Sequence, residues 1–547
     1  MRDGIFRGFF MITVTDLSFH FGGQLLFKDV DLKFTPGNCY GIIGANGAGK
    51  TTFLKLICGD LEPSHGSVSI PKEERISVLK QDHYAFESFT VLDTVIMGNP
   101  RLYAVGKEKD ALYEKEDFSD EDGVRASELE AEYAELGGWE AESEASRLIQ
   151  GLGLPVSLLE SSMSELTEEQ KVKVLLAQAL FGNPAIILLD EPTNGLDLDA
   201  IAWLEDFLSD YPGTVLVVSH DRHFLNDVCT NIVDIDYTHI KMYVGNYEFW
   251  YESSQMVQRM IKQQNKRTEE KIRELQEFIS RFSANKSKAR QATSRRNLLE
   301  KLSVYDMPAS SRRYPFIGFD MEREPGKDVL SVRNLSARSS DGTELFRDLS
   351  FTLDRGDKVA FVGDDRSITA LMKILMEEEP CESGSFKWGV SITRSYFPRD
   401  NSAYFEGNED SILDWMRQYS QDQTESYLRG FLGRMLFSGD SVFKQVRVLS
   451  GGEKQRCMFS RMMLFGSNML LLDQPTNHLD LEAITAVNNA LKDFKGMVMV
   501  SSHDYEIVST CANRIIEVRP DRWQDYKGTY EEFVENQKAK GITHILL

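Results

Sequence analysis

The octapeptide GANGAGKT, Gly44–Thr51, sits between an apolar run, CYGII (Cys39–Ile43), and a run with helical character, TFLKLI (Thr52–Ile57). This strand, loop and helix context is what a phosphate cradle requires. The glycines let the backbone turn tightly, so that several N–H groups and the helix N-terminus face one point and suit phosphate oxygens. Lys50 offsets charge on the β- and γ-phosphates, and the Thr51 hydroxyl suits Mg²⁺. The segment Gly44, Ala45, Asn46, Gly47, Ala48, Gly49, Lys50, Thr51 and Thr52 therefore predicts an α/β nucleotide-binding domain that wraps the phosphates of ATP.

Outward from this loop the chain repeats itself, and a repeat fixes which residues occupy equivalent places. Phe27–Gly44 returns at Phe346–Gly363, an offset of 319. LLDEPTNGLD (188–197) returns as LLDQPTNHLD (471–480), SHD (219–221) at 502–504, and GNY (245–247) as GTY (528–530), all offset by 283. The first copy thus carries about 36 more residues between its early and late motifs. They fall in an acidic stretch where SELEAEYAELGGWEAESEASRLI reads as helical with a Gly-Gly break. The expected organisation is a first domain over 1–252 with a short acidic helical arm at about 103–140, a connector over 253–313, and a second domain over 314–547. For the arm, a solvated charged face without a partner is the alternative reading.

Composition agrees with this division. A chain of 547 residues is too long for one core and fits two domains of roughly 200–250 residues. The six cysteines (39, 58, 229, 381, 457 and 511) form no C-x-x-C pair, which speaks against a disulfide framework or a zinc or iron–sulfur site. No stretch approaches the ~18 consecutive apolar residues of a membrane span. The opening MRDGIFRGFFMITV is broken by Arg7 and lacks a small-residue cleavage site, so a cytoplasmic protein is expected, with Met11 starting the folded part.

The net charge of −23 argues against a general nucleic-acid binder, but the charge is segregated. Residues 106–147 hold 15 acidic side chains against 5 basic ones, and residues 255–313 hold 15 basic against 6 acidic. Few glycines and spaced apolar residues (Met256, Met260, Ile272, Leu275, Ile279, then Leu298, Leu299, Leu302) predict two helices folded back on each other. Their connection, RFSANKSKARQATSRR, carries Arg281, Lys286, Lys288, Arg290, Arg295 and Arg296 with no acidic residue, a tip suited to RNA phosphates. Solvated charge is the competing reading.

Further motifs complete a nucleotide site. AIILLDEP ends an apolar strand with Asp190, suited to hold Mg²⁺ through water, and Glu191, placed to polarise an attacking water. TVLVVSHD ends another with His220, a candidate γ-phosphate contact, and Gln81 in VLKQDH is the candidate that senses metal and water. Phe21 is the candidate for stacking on adenine, with Phe19 and His20 as alternatives.

LSGGEKQR, Leu449–Arg456, resembles the signature of ATP-binding-cassette (ABC) proteins. The paired EPTN-type motifs, the lack of a membrane segment and the basic hairpin resemble the ABC-F family, with the short arm and RFSANKSKARQATSRR most similar to its YbiT-like bacterial subgroup. The resemblance implies two tandem cassettes joined by a helical hairpin, ATP and Mg²⁺ as ligands, and a monomer that closes on itself. It also implies a partner, the ribosome, whose rRNA and tRNA meet the hairpin at the tRNA exit site. Each ATP would lie between the phosphate loop of one cassette and the signature of the other, so that Ser450, Gly451, Gly452 and Glu453 complete the site of Lys50.

The opposite site departs from that pattern at nearly every position. GDDRSITA, Gly363–Ala370, has Ile368 for the last glycine, Thr369 for the lysine and Ala370 for the Mg²⁺ hydroxyl. Ser340 replaces the stacking aromatic, Arg399 the glutamine and Gln474 the catalytic glutamate, and LTEEQ puts Glu168 and Glu169 where the signature glycines belong. The expectation is one working ATPase site. Two other readings compete with a ribosomal ATPase: the duplicated ATPase subunit of an importer, which has no need of the hairpin, and a ribosome-binding clamp with incidental turnover.

Overall fold

The computed structural model describes residues 11–71, 74–80, 82, 84–282, 312–339, 342–477 and 479–540. In the first half, β1 (Ile12–Phe21), β2 (Gln24–Phe34) and β4 (His65–Ser69) form an antiparallel sheet in the order β2-β1-β4. A second sheet runs β5-β6-β7-β3-β8-β9, with β3 at Asn38–Gly44, β5 at Ile76–Val78, β6 at Ile186–Asp190, β7 at Thr214–Val218, β8 at Asn231–Asp236 and β9 at His239–Val244. All of its pairs are parallel except β8–β9. Strands covered on both faces must be apolar throughout, which is why β6 and β7 read as unbroken runs of Ile, Leu and Val.

The second half repeats this topology strand for strand. Its antiparallel sheet is β11-β10-β13 (Glu344–Leu353, Leu330–Arg338, Ser383–Trp388). Its mainly parallel sheet is β14-β15-β16-β12-β17-β18, formed by Arg394–Phe397, Met469–Asp473, Met497–Ser501, Lys358–Gly363, Arg514–Val518 and Trp523–Lys527. Even irregularities are shared: Asp16 and Asn334 both have positive φ, and opposite them Gly66 and Gly384 are left-handed as well. A Cβ on either glycine would collide with the carbonyl oxygen of Asp16 or Asn334.

The acidic arm is a pair of helices, Pro100–Tyr113 and Asp120–Glu135, closed by a small cluster of Val105, Leu112, Ala126 and Leu129. A capping box at Ser119 starts the second helix, and the Gly137–Gly138 break leads into Ala141–Gly151. The connector opens with a 36-residue helix, Tyr247–Phe282, about 54 Å long at 1.5 Å per residue. The expected return helix, with Leu298, Leu299 and Leu302, lies outside the described residues.

The two halves dock face to face with reciprocal insertions. Leu481 of the second half is buried in the core of the first, and Leu198 of the first packs on the core of the second. Arg222 pairs with Glu506 at 3.0 Å. Arg312, at the end of the connector, donates to Asp234 at 2.5 Å, lies 3.3 Å from Glu482 and stacks over Trp250 at 4.4 Å from the ring centroid. The root of the connector is thereby tied to both halves.

Gly384→Ala should destabilise the chain by more than the roughly 1–3 kcal/mol of a strained backbone conformation, because its Cβ also meets the Asn334 carbonyl oxygen. Gly407→Ala is the control, since Gly407 also has positive φ but open space around its Cβ. Urea unfolding midpoints at unchanged m-value measure both, and equal effects would refute the clash.

Candidate functional site

The carboxyl ends of β3, β6 and β7 converge, and in open α/β sheets ligands bind at that edge. After β3 the chain turns through Gly47 and Gly49, both left-handed, into the helix Lys50–Cys58. At Gly49 a side chain is excluded twice over, by φ of 99° and by Phe27, whose Cζ would lie 2.7 Å from a Cβ. Glu191, just past β6, is also left-handed, at φ 52°, and its N–H is held by the Val218 carbonyl at 2.8 Å. That bend aims the carboxyl back at the loop.

The geometry brings together most of the residues expected from sequence. Lys50 Nζ donates to the Gly44 carbonyl at 2.8 Å and approaches that of Ala45 at 3.5 Å. Thr51 Oγ1 donates to Asp190 Oδ2 at 2.8 Å, placing two oxygens suited to Mg²⁺ side by side. Glu191 Oε2 accepts from the His220 backbone N–H at 3.1 Å. Glu191 Oε1 and His220 Nδ1 are buried without a hydrogen-bonding partner, as groups that await a water or a phosphate oxygen are. This donor set fits ATP and Mg²⁺. Gln81 lies outside the described residues.

Burial sets the electrostatics. It lowers the Lys50 ammonium pKa, although Glu191, Glu482, Asp480 and Asp190 all attract that charge. It raises the Glu191 carboxyl, with Lys50 opposing. Burial and then the Lys50 charge push His220 down to about 3, so the imidazole is neutral and its 3.4 Å approach to Glu191 is no ion pair.

A cavity of about 950 Å³ opens in front of this cluster, and its far wall belongs to the second half of the chain. Phe21, Asn46, Gly47, Gly49, Lys50, Thr51, Thr52, Asp190, Glu191 and His220 line one side, and Ser450, Gly451, Gly452 and Glu453 face them. Phe21 is 66% exposed, so its ring is free to stack. Ser450 is the N-cap of the helix Gly451–Phe465, whose N-terminus therefore points into the cavity. Glu453 is turned back: its carboxylate accepts from Ser450 and pairs with Lys444 at 3.0 Å. Arg456, the last residue of the signature, and Thr476, Asn477 and Leu479 of the repeated LLDQPTNHLD also line the wall, although no role was expected of them individually.

A second cavity of about 850 Å³ lies at the equivalent place across the interface. Here the helix begins at Asp365, the position matching Asn46, so the stretch that forms an open loop in the first copy is wound into helix. Loss of the left-handed glycine permits this, and Ile368 is buried at 1% exposure where Gly49 stood. Asp364 caps the new N-terminus through the Ser367 N–H at 2.8 Å. Thr369 donates to Asp473 at 2.7 Å, and His503 reaches Asp365 at 3.0 Å. Glu168 and Glu169 open the facing helix, capped by Thr167. Ser340 and the basic tip residues Lys286, Lys288, Arg290, Arg295 and Arg296 lie outside the described residues, as does the side chain of Arg281.

Comparison with known proteins agrees with this architecture. A family model described as ABC transporter matches residues 27–194 and 346–477, and a second with the same description matches 233–317. The ABC transporter ATP-binding protein YkpA of Bacillus subtilis (strain 168) is 57% identical over 96% of this chain and 98% of its own length. YbiT of Escherichia coli O157:H7, an ATP-binding protein by its name, is 43% identical over 97% and 100%. Among solved structures, the archaeal ribosome recycling factor aABCE1, in complex with the ribosomal stalk protein aP1, superposes with a TM-score of 0.62 at 17% identity. That alignment covers 96% of this chain and 92% of aABCE1 and shows a shared fold. No helix among the described residues is long and apolar enough to cross a membrane.

Gly452→Glu copies onto the Lys50 cavity the residue found at the matching place, Glu169, of the other signature helix, so the helix should tolerate it. ATP affinity by calorimetry should fall at least tenfold, because two unit charges ~4 Å apart interact by about 4 kcal/mol at an effective dielectric of 20. Unaltered affinity would mean that the second half does not complete the site.

Proposed function

The chain belongs to the ATP-binding-cassette family, with two tandem cassettes of the ABC-F type, and from that premise we propose that it is an ATPase with one working composite site that acts on the ribosome. The observation that carries the reading is the single cavity in which the Lys50 loop faces Ser450, Gly451 and Gly452. Lys50 and the N-terminus of its helix hold the β- and γ-phosphates, and Phe21 stacks on adenine. Thr51 and, through water, Asp190 would hold Mg²⁺, with Gln81 the candidate that senses it, and the bound ion would supply charge neutralisation at the phosphates. Glu191 orients the attacking water, His220 contacts the γ-phosphate, and the Ser450–Gly452 backbone closes on it. Such chemistry is mainly positioning and electrostatics.

On the other side, the wound helix, the missing lysine and the carboxylates of Asp364, Asp365, Glu168 and Glu169 disfavour a polyphosphate. Closure of the first site draws the cassettes together and moves the connector, whose root is tied to both through Arg312. The connector, about 253–313, carries Arg281, Lys286, Lys288, Arg290, Arg295 and Arg296 to rRNA and tRNA at the exit site of a cytoplasmic ribosome. The relation to ABC-F proteins and the fold shared with a ribosome recycling factor support this partner.

Glu191→Gln should lower turnover by roughly 10²- to 10⁴-fold, the contribution of a positioned general base. ATP binding should remain, at one ATP per chain by equilibrium titration, and the variant should co-sediment with ribosomes in ATP and not in ADP. Undiminished hydrolysis, or two tight ATP sites, would overturn the assignment. Phe21→Ala should raise KM for ATP roughly tenfold or more at little change in kcat, since a base–aromatic stack is worth about 1–3 kcal/mol. An unchanged KM would remove Phe21 from the adenine pocket.

A further inference from the structure

The second cavity holds an arrangement that the loss of a nucleotide site does not by itself explain. Arg399 stands where the first cassette has Gln81, and its guanidinium spans the interface. Nη1 donates to Asp365 of its own cassette at 2.9 Å, and Nη2 donates to Glu169 of the other at 2.6 Å. These two carboxylates open the two helices whose N-termini would otherwise converge on a triphosphate. A phosphate group joins such helices as an anion between N–H donors; here the sign is inverted, with a cation between two acids. The planar Arg fork serves both at once with a fixed direction to each.

The surroundings reinforce the bridge. His503 holds Asp365 from the other side at 3.0 Å, and Arg519 approaches Asp199 of the first cassette at 3.8 Å. Burial alone would raise the Asp365 carboxyl, but the His503 hydrogen bond and the charges of His503 and Arg399 outweigh it and hold it below the usual carboxylate range. Facing Arg399 are thus Asp365, Glu169 and, further off, Asp473. Across the Lys50 cavity the facing walls are instead the phosphate loop and the Ser450–Gly452 helix end.

We propose that Arg399 is a positioning residue that takes the place of nucleotide on this side: it pins Asp365 to Glu169 and keeps the cassettes joined there without ATP. The pair then opens and closes as a hinge, at the Lys50 cavity alone. This rests on the one-site reading above and adds to it how a single ATP can drive closure. The Asp365 arm of the bridge is partly buried and the Glu169 arm is half exposed, so the bridge fixes geometry more than it adds stability. Its kinetic effect follows from population: a site whose facing halves are pre-aligned binds more tightly in proportion to the aligned fraction.

Arg399→Gln restores the residue type of the first cassette, so the fold should accept it. If a tenth of the nucleotide-free chains remain aligned, KM for ATP rises about tenfold while kcat, measured at saturation, stays within about twofold. Adding Glu169→Ala relieves the repulsion left with Asp365 but does not rebuild the bridge, so KM should recover only in part, and full recovery to the parent value overturns the pin. KM unchanged in Arg399→Gln, or a fall in kcat without a rise in KM, overturns the proposal. An independent arm needs no ATP turnover. Spin labels at the exposed positions Ser157 and Asp521 report on the side of the second cavity, and labels at Asp440 and His239 report on the other, with the partly exposed Cys58 and Cys381 replaced by serine. The first pair should give one narrow distance, equal with and without ATP, and the second should shorten with ATP. A broad or ATP-dependent distance at Ser157 and Asp521 in the parent sinks the hinge. Normal turnover in Glu191→Gln would instead sink the one-site reading, and the nucleotide-free distances separate the two failures.

Discussion

The structure depends on an anion cradle that neither cassette can finish alone. Lys50, Thr51 and the helix they begin supply positive potential from one side, and the N-terminus of Gly451–Phe465, capped by Ser450, supplies it from the other. Two helix N-termini pointed at one another repel until something negative lies between them. The docking of the halves, with Leu481 and Leu198 exchanged between the cores, is what brings these like ends into opposition. In the reading proposed above, a site built in this way would link nucleotide occupancy to domain closure.

The same geometry solved differently on the far side makes the molecule asymmetric. Once Gly49 has its counterpart in Ile368, the phosphate loop has no left-handed turn to hold it open and winds into helix. Asp364 then caps the helix end that phosphate would have occupied, while Asp365 and Glu169 turn to Arg399. Gln474 keeps the left-handed bend of Glu191, at φ 50°, with its N–H on the Ser501 carbonyl at 2.9 Å. The backbone of the second cassette is thus conserved where strands dictate it and rebuilt where ligand contacts dictated it.

The root of the connector lies near the Lys50 side of the interface. Arg312 touches Asp234, Trp250 and Glu482, and Glu482 is among the carboxylates that attract Lys50. The Trp250 indole N–H also donates to Asp234, at 3.2 Å. A change of charge at Lys50 is therefore felt one step from the base of the 36-residue helix, and a helix of that length turns a small rotation at its base into a large displacement at its tip.

Much of this was legible in the sequence. The offset repeat determined two copies of one fold, the apolar runs ending in Asp190 and His220 determined strands that deliver side chains to one edge, and residue types at 363–370 foretold the loss of a phosphate loop. These are local signals, carried by the period of side chains along a strand and by the glycine that a left-handed turn needs. What fills the second cavity was not legible, because Arg399 meets Asp365 at a separation of 34 residues and Glu169 at 230. No spacing in the chain encodes that meeting. Nor did the sequence mark Arg312 as the tie between connector and cassettes. Sequence by itself determined the chemistry each segment can offer; tertiary structure alone decided which segments face each other, since docking joins surfaces by shape and charge across distances that local patterns do not reach.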